Sequence, residues 1–503
     1  MKAGAAITQL RSAAASSHAS LLLVRLATVV LTLLTLRFLA HRMGAGDYNV
    51  YIILIQLLAW PASVGLIGMG ISVPRTIAAW SSTWTAEAVL ASAACLAILT
   101  LLLPLALVGL WSSEVSAFVL RDRHWASAIA MAALYLATLA PLQLVWYYLL
   151  GLKQYSVYVA MELIQSGILP VSIALLDPGA AHVESFLLHY SIGNLALLAI
   201  TLAVTITLRT RGTGNPLRFA PAAGIVRELL NVGTPKLISG VFFTLTVSSF
   251  PVALRWSGAG LEQTAAASLG LAIAITLSRL AITANALVGF MQIASVLTTD
   301  RKAVVSTIRQ MLTFALAGGF TFAVFSAAAI DLAVTVLIGP TYERQHLFLA
   351  LGAMFGALQL VAYVMEIPLD ALEPAWRKAA ASSVFALLLA ASIALGTATG
   401  VLGASGVVLA YSAIFGAFCV VLYLLVQARL GERVRPSPVL AVYCAYCSLV
   451  ALALVIARAQ LVSVPAQVFA ACIAVFLIMF LMARFGLFQV AMPGGSARLV
   501  QTQ

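Results

Sequence analysis

Three basic residues lie inside strongly apolar stretches of the chain: Arg25, Lys236 and Arg279. A cation within a membrane-spanning helix costs about 3 kcal/mol even on the most lenient scales, so such residues mostly face a cavity or a partner. Guanidinium and ammonium groups donate charge-assisted hydrogen bonds to phosphate and carboxylate oxygens. We therefore predict that these three side chains line a cationic, substrate-binding cavity.

Polar residues accompany the cations on the same predicted helices. Thr28 and Thr32 follow Arg25 at helical spacing, and Asn285 and Gln292 lie seven residues apart on the helix that carries Arg279. Such stripes share one helical face, which predicts that they line the same cavity. In the alternative interpretation, the threonines bond to their own backbone, and Arg25, like Lys236, reaches the nearby interface through its long side chain.

Acidic residues inside the apolar runs are fewer. Glu162 and Asp331 are candidates for coupling transport to a proton or cation, although Glu162 could instead pair with a basic residue and Asp331 could lie at the interface. Glu366 and Asp370 fall near the cytoplasmic end of the tenth predicted span, where both could simply be hydrated. Pro235 removes a helical hydrogen bond just before Lys236 and is predicted to act as a hinge.

The sequence offers no pattern typical of an enzyme. Its 6 histidines are scattered, and it has no phosphate-binding glycine loop of the Walker type. Among its 5 cysteines, Cys444 and Cys447 form a C-x-x-C pair inside an apolar run, which indicates packing rather than redox or metal chemistry. We predict no enzymatic activity, no metal site and no cofactor.

The elements that carry these residues are membrane-spanning helices. The chain has 503 residues, of which 63% are hydrophobic and 9% charged, and its mean hydropathy is +1.06. Soluble domains carry about 25% charged residues. The sequence therefore predicts an all-α polytopic membrane protein with about 14 spans of roughly 20 residues each.

The loop charges orient the helices. With both termini in the cytoplasm, most basic residues fall on inner segments, and the outer segments carry Arg42, Arg121, Arg123, Arg255, Arg344 and Arg458. This bias follows the positive-inside rule and requires an even number of spans. The same bias explains the net charge of +12, so we exclude nucleic acid as a partner.

The predicted spans divide into two lobes and an added pair. A polar segment, 209–227, is rich in Arg, Gly and Pro and separates the N-lobe at 1–208 from the C-lobe at 228–428, with two extra spans and a tail at 429–503. Gly44-Ala45-Gly46 and Gly258-Ala259-Gly260 recur after the first and seventh spans. Six spans per repeat predict two lobes related by a pseudo-two-fold axis along the membrane normal.

A series of short motifs resembles one known family. The segments are Met43-Gly44-Ala45-Gly46-Asp47-Tyr48, Gly68-Met69-Gly70, Pro74-Arg75-Thr76-Ile77-Ala78, Leu150-Gly151-Leu152-Lys153, Val232-Gly233-Thr234-Pro235 and Leu337-Ile338-Gly339-Pro340-Thr341-Tyr342. Their order and spacing over most of residues 20–430 resemble the bacterial polysaccharide and O-antigen flippases of the multidrug/oligosaccharidyl-lipid/polysaccharide (MOP) exporter superfamily. Asn49 stands where that family often has glycine.

The resemblance implies two six-helix lobes around a central cavity that opens alternately to the two sides of the cytoplasmic (inner) membrane of a bacterium. It implies a glycan on polyprenyl pyrophosphate as the substrate, with membrane lipids, a polysaccharide polymerase and glycosyltransferases as candidate partners. Related flippases use basic residues on spans one, seven and eight, where Arg25, Lys236 and Arg279 lie here.

Two other functions stay open at this point. A cation or drug antiporter of the same superfamily would need an acidic or aromatic cavity, whereas the apolar runs here carry mainly cations. A membrane enzyme of surface-glycan assembly would need a long external loop, and the sequence has none.

Overall fold

The computed structural model describes residues 23–24, 26–58, 66, 68–79, 85–213, 220–277, 301–372, 375–399, 403–430, 442, 444 and 447. Within these ranges every regular element is a helix. The predicted all-α polytopic membrane architecture is therefore confirmed.

The first half of the chain forms eleven helices, which we number in chain order. They are α1 (26–42), α2 (Ala45–Leu57), α3 (Met69–Ala79), α4 (Ala86–Ala97), α5 (Leu103–Leu110), α6 (Ser112–Val119), α7 (Ala126–Gly151), α8 (Tyr155–Leu163), α9 (Leu169–Leu176), α10 (Val183–Thr213) and α11 (Ala223–Trp256). Short π-helical segments, Ile98–Leu102 and Ile164–Ile168, join α4 to α5 and α8 to α9.

Five further helices follow. They are α12 (Leu261–Leu277), α13 (Arg301–Ile338), α14 (His346–Leu372), α15 (Ala375–Ala398) and α16 (Ala404–Leu430). Gly339 adopts φ +99 and ends α13, because this left-handed conformation is open to glycine at little cost.

Eight helical stretches of the described chain are long and apolar enough to cross a membrane, and the two bent halves of α11 together make a ninth. Several of the predicted spans lie partly or wholly outside the described residues, including those at the C-terminus. The total of about 14 spans therefore stays a prediction.

The chain separates into two compact units. The first comprises residues 1–261 together with 382–390, and the second comprises 262–381 and 391–503. Helix α11, which contains residues of both the predicted linker and the predicted C-lobe, thus packs within the first unit. The functional lobes predicted from the sequence stay a prediction.

The core of the first unit lies among α3, α4, α7 and α11. Val73, Leu136 and Tyr148 are almost completely buried there, and Leu229 of α11 packs into the same cluster. The α3 and α11 backbones touch near Gly68, where an added Cβ would lie 2.6 Å from the Gly233 carbonyl oxygen. Gly68 also has φ +64, so only glycine meets both demands at low cost.

The second unit is built on close packing of α12 against α14. Added Cβ atoms at Gly270 and Gly352 would lie 2.2 and 2.0 Å from carbonyl oxygens of the opposite helix, those of Leu349 and Ala267. On another face of α14, the Phe355 ring makes edge contacts with Phe415 of α16. Glycines that let two helix backbones approach are typical of membrane helix packing.

Candidate functional site

Lys236 lies in the N-terminal half of α11, where the packing of α11 on α3 positions it. Its side chain is half-buried, and Pro235 beside it is buried. Lys236 comes one helical turn after Gly233, the residue that the Gly68 backbone contacts. A cation therefore lies beside a close contact of two helices, which suits a positioned binding residue.

The other two predicted cations, Arg25 and Arg279, lie outside the described residues. The same holds for Asn285 and Gln292. The convergence of three cations on one cavity stays a prediction.

Helix α11 bends by 52° between its halves, Ala223–Ile238 and Phe242–Trp256. The break contains Gly240, and an added Cβ there would meet nothing within 4 Å. Serine–glycine steps and prolines are both known causes of kinks, and Pro235 lies about one turn before the break. The bend follows Lys236 directly, while the predicted hinge role of Pro235 stays a prediction.

The threonines of α1 donate their hydroxyl protons to their own helix. Thr28 bonds to the Val24 carbonyl at 2.9 Å and Thr32 to the Thr28 carbonyl at 2.8 Å. This arrangement is the one that the alternative interpretation expects. The hydroxyl oxygens can still accept hydrogen bonds, so in a cavity they would suit sugar hydroxyls better than an anion.

Glu162 is half-buried near the end of α8. Its carboxylate lies close enough to Tyr147 of α7 for electrostatic interaction. Tyr147 in turn contacts α3, since an added Cβ at Gly70 would lie 3.2 Å from its ring. Asp331 lies within α13. The coupling roles predicted for the two acids stay predictions.

The structure brings together three polar residues that the sequence did not single out: Tyr135, Gln165 and Tyr190. Tyr190 donates its hydroxyl proton to the Gln165 carbonyl at 2.8 Å, and Gln165 Nε2 donates back to the Tyr190 oxygen at 3.3 Å. Tyr135 packs on Tyr190 with ring centroids 4.9 Å apart. We call this group the tyrosine cluster.

A proline explains why the Gln165 carbonyl needs this donor. Gln165 lies in the π-helical segment, where the N–H five residues later normally bonds to each carbonyl. The fifth residue after Gln165 is Pro170, which has no N–H. Tyr190 supplies the missing donor, and the spacing of Gln165 and Pro170 is the only sequence signal for it.

The expectation that Glu366 is hydrated is wrong. Its carboxylate lies 3.3 Å from Lys378 Nζ, and the exposed fractions of the two side chains are 15% and 3%. Glu366 lies near the end of α14 and Lys378 near the start of α15, so the packing of these two helices brings them together. Two charges that leave water in this way need each other.

Two amides are buried without a partner in the part of the chain that the structure describes. They are Asn194 in α10 and Gln359 in α14, both fully buried. Buried amides normally have hydrogen-bond partners, so these positions mark polar sites in the interior of each unit.

Two residues of the motifs that resemble the flippase family, Asp47 and Tyr342, have structural roles. Asp47, in the first turn of α2, accepts a hydrogen bond from the Val183 N–H at 2.9 Å and so joins α2 to the start of α10. Tyr342, in the short turn after α13, is buried, and burial together with the Glu262 carboxylate raises its pKa above the ordinary tyrosine value.

No model of a known protein family and no curated protein sequence matches the chain. Solved membrane proteins are similar to it in structure. The lipid II flippase MurJ, in an inward closed conformation, matches 92% of this chain and 99% of its own with a TM-score of 0.57 at 12% identity.

Other transporters of the MOP superfamily are also similar in structure. An inward-facing multidrug resistance MATE family transporter of the MOP superfamily matches 82% of this chain and 98% of its own, with a TM-score of 0.54 at 12% identity. A MOP superfamily transporter from Pyrococcus furiosus, described as having a binding pocket of reverse polarity, matches 82% and 94% with a TM-score of 0.54 at 14% identity. The chain therefore has the fold of the MOP-superfamily transporters.

Proposed function

We propose that the protein is a transporter that moves a polyprenyl-pyrophosphate-linked oligosaccharide from the inner to the outer leaflet of the bacterial cytoplasmic membrane. The observation that carries the proposal is Lys236, a half-buried cation beside the bend of α11. A basic residue at that position suits a phosphate headgroup, which the bilayer interior strongly disfavours.

The proposal includes a cavity between two lobes that opens alternately to the two sides of the membrane. In it, Arg25 and Arg279 join Lys236 around the pyrophosphate, and Thr28, Thr32, Asn285 and Gln292 contact the sugars. Both termini lie in the cytoplasm, and a polysaccharide polymerase and glycosyltransferases act on the same glycan. The fold that this chain shares with a lipid II flippase supports a lipid-linked substrate.

A cation or drug antiporter is the second candidate. It is favoured by the half-buried Glu162 carboxylate next to Tyr147, because an acid with an aromatic neighbour attracts cations. The similarity to multidrug resistance transporters also supports it. In this function Glu162 or Asp331 would bind the exchanged proton or cation.

The test is transport by the purified protein in liposomes that contain a fluorescent polyprenyl-pyrophosphate oligosaccharide. Lys236→Gln should lower the transport rate about 10- to 100-fold, since a hydrogen bond to a charged group contributes about 1.5–3 kcal/mol. Arg227→Gln is the matched control, because it removes the same charge from an exposed position on the same helix.

Equal transport by wild type and Lys236→Gln, at equal amounts of folded protein, would contradict the assignment of Lys236. Two experiments distinguish the flippase from the antiporter. A glycan on polyprenyl pyrophosphate that co-purifies with the protein in mild detergent, detected by native mass spectrometry, supports the flippase. Drug–proton exchange in liposomes, without transport of lipid-linked glycan, supports the antiporter.

A further inference from the structure

Three of the outer basic residues come together at one corner of the first unit. Arg121 and Arg123 flank Asp122 in the connection between α6 and α7, and Arg255 lies in the last turn of α11. Arg121 Nη1 donates to the Arg255 carbonyl at 3.4 Å, so the two chain segments touch. We call Arg121, Arg123 and Arg255 the arginine corner.

The corner is held in place by main-chain contacts. The Arg255 guanidinium donates to the Leu120 carbonyl from Nε at 3.1 Å and from Nη2 at 2.8 Å, and from Nη1 to the Ala259 carbonyl at 2.8 Å. Trp256 Nε1 donates to the Phe118 carbonyl at 2.8 Å. The end of α11 is therefore tied to the end of α6.

Arg121 adopts an unusual backbone conformation at this tie. Its φ is +55, in the left-handed region that residues other than glycine rarely occupy. The hydrogen bonds to Leu120 on one side, and from the Ser116 hydroxyl to the Asp122 carbonyl on the other, hold it there. Strained residues that the surroundings hold in place often serve a function.

The three cations have no ion-pair partner in the described part of the chain. The Asp122 carboxylate attracts the Arg255 guanidinium, whereas the Arg121 guanidinium repels it. The hydrogen bond that the Asp122 carboxylate accepts comes from the His124 N–H. Glu114 lies in the first turn of α6, about 9 Å along the helix axis from Leu120. Positive charge thus remains uncompensated where Arg121 and Arg123 are exposed.

The position of the corner in the fold is that of a membrane–water interface. It stands at the ends of the spanning helices α7 and α11, beside Phe118 and Trp256, whose rings contact each other and are 56% and 44% exposed. Exposed aromatic residues at helix ends mark the membrane–water interface. In the predicted orientation this segment is an outer one, where positive charge is unusual, so its concentration here indicates a ligand.

We propose that Arg121, Arg123 and Arg255 form a binding site for a phosphate-bearing lipid headgroup in the outer leaflet. Arginine donates two parallel hydrogen bonds to phosphate oxygens, and the two exposed guanidinium groups keep free donors for this purpose. Arg255 positions the corner through Leu120 and contributes charge. The site does not depend on which substrate the protein transports.

The test is native mass spectrometry of the full-length protein in neutral detergent, titrated with phosphatidylglycerol and with phosphatidylcholine. Wild type should bind phosphatidylglycerol more tightly. Arg121→Gln/Arg123→Gln should weaken that binding about thirtyfold, as expected from the loss of two basic groups at a membrane surface. Arg309→Gln/Arg344→Gln removes the same charge from exposed positions elsewhere and should change binding by less than about twofold.

Inorganic pyrophosphate distinguishes the source of the phosphate. If it does not displace phosphatidylglycerol, the lipid headgroup is the ligand, and if it does, the same corner binds soluble phosphate. Unchanged phosphatidylglycerol binding in Arg121→Gln/Arg123→Gln, or an equal loss in the control variant, would overturn the proposal. Neither result bears on the role of Lys236 in transport, because lipid binding is measured without a transported substrate.

Discussion

Polar side chains inside the apolar helices mostly bond to groups near them. The α1 threonines bond to carbonyls of their own helix, and Tyr190 bonds to the Gln165 carbonyl that Pro170 leaves without a donor. Tyr148 likewise donates to the buried Glu87 carboxylate at 3.1 Å. A polar residue in an apolar run is therefore weak evidence of a cavity.

The buried Glu366–Lys378 pair gives a prediction at the residue scale. Lys378→Met or Glu366→Met alone should lower the free energy of unfolding by about 3 kcal/mol, because the buried charge that remains loses the opposite charge 3.3 Å away. The double variant should recover much of this loss, since it removes both charges. Thermal unfolding of the purified protein, with the four proteins compared in one detergent, measures the coupling.

Additive losses in the double variant would contradict this account. They would mean that Glu366 and Lys378 act through separate neighbours rather than through each other.

At the scale of elements, α11 is held to the helices of the first unit along its length. Ser92 Oγ accepts from the Ala222 N–H at 3.1 Å just before α11, and Ser248 Oγ in the C-terminal half of α11 donates to the Gln56 carbonyl at 3.0 Å. Trp256 completes the series at its end. The bend after Lys236 therefore lies between two anchored halves, and movement of α11 requires these bonds to change.

The contact of α12 with α14 gives a prediction at the same scale. Gly352→Ala should destabilise the protein by about 2 kcal/mol or more, because its methyl group would collide with the Ala267 backbone, which cannot turn away. Gly416→Ala in α16 is the control, since an added Cβ there meets nothing within 4 Å. It should leave stability unchanged or raise it by up to about 1 kcal/mol.

The stability of both glycine variants is measured by the midpoint of thermal unfolding and by the yield of monodisperse protein. Equal stability of Gly352→Ala and wild type would show that α12 and α14 are not packed as closely as the structure has them.

At the scale of the whole molecule, the distribution of charge predicts the orientation in the membrane. In a variant whose native cysteines are replaced by alanine, Arg344→Cys should react with a membrane-impermeant maleimide in intact cells. Gln154→Cys should react only after the cells are permeabilised, because basic loops remain on the cytoplasmic side. Both positions are exposed.

The opposite labelling pattern would reverse the predicted topology. It would place the arginine corner at the cytoplasmic face and would remove the argument from outer positive charge.

The amino-acid sequence by itself determined the class of the molecule. Long apolar runs can satisfy their backbone polar groups in a bilayer only as helices, so composition alone predicts an all-α polytopic protein. The motif at Gly233-Thr234-Pro235 also lies in the part of α11 where the helix backbone contacts Gly68 and then bends. These features depend on local composition and spacing.

Only the tertiary structure decided which residues meet. The pairs that meet lie on different parts of the chain: Gln165 with Tyr190, Glu366 with Lys378, and Leu120 with Arg255. Their contacts depend on how helices pack, and a helical sequence pattern defines a face without naming the partner of that face. Hence the sequence predicted that Glu366 is hydrated, while packing of α14 and α15 buries it against Lys378.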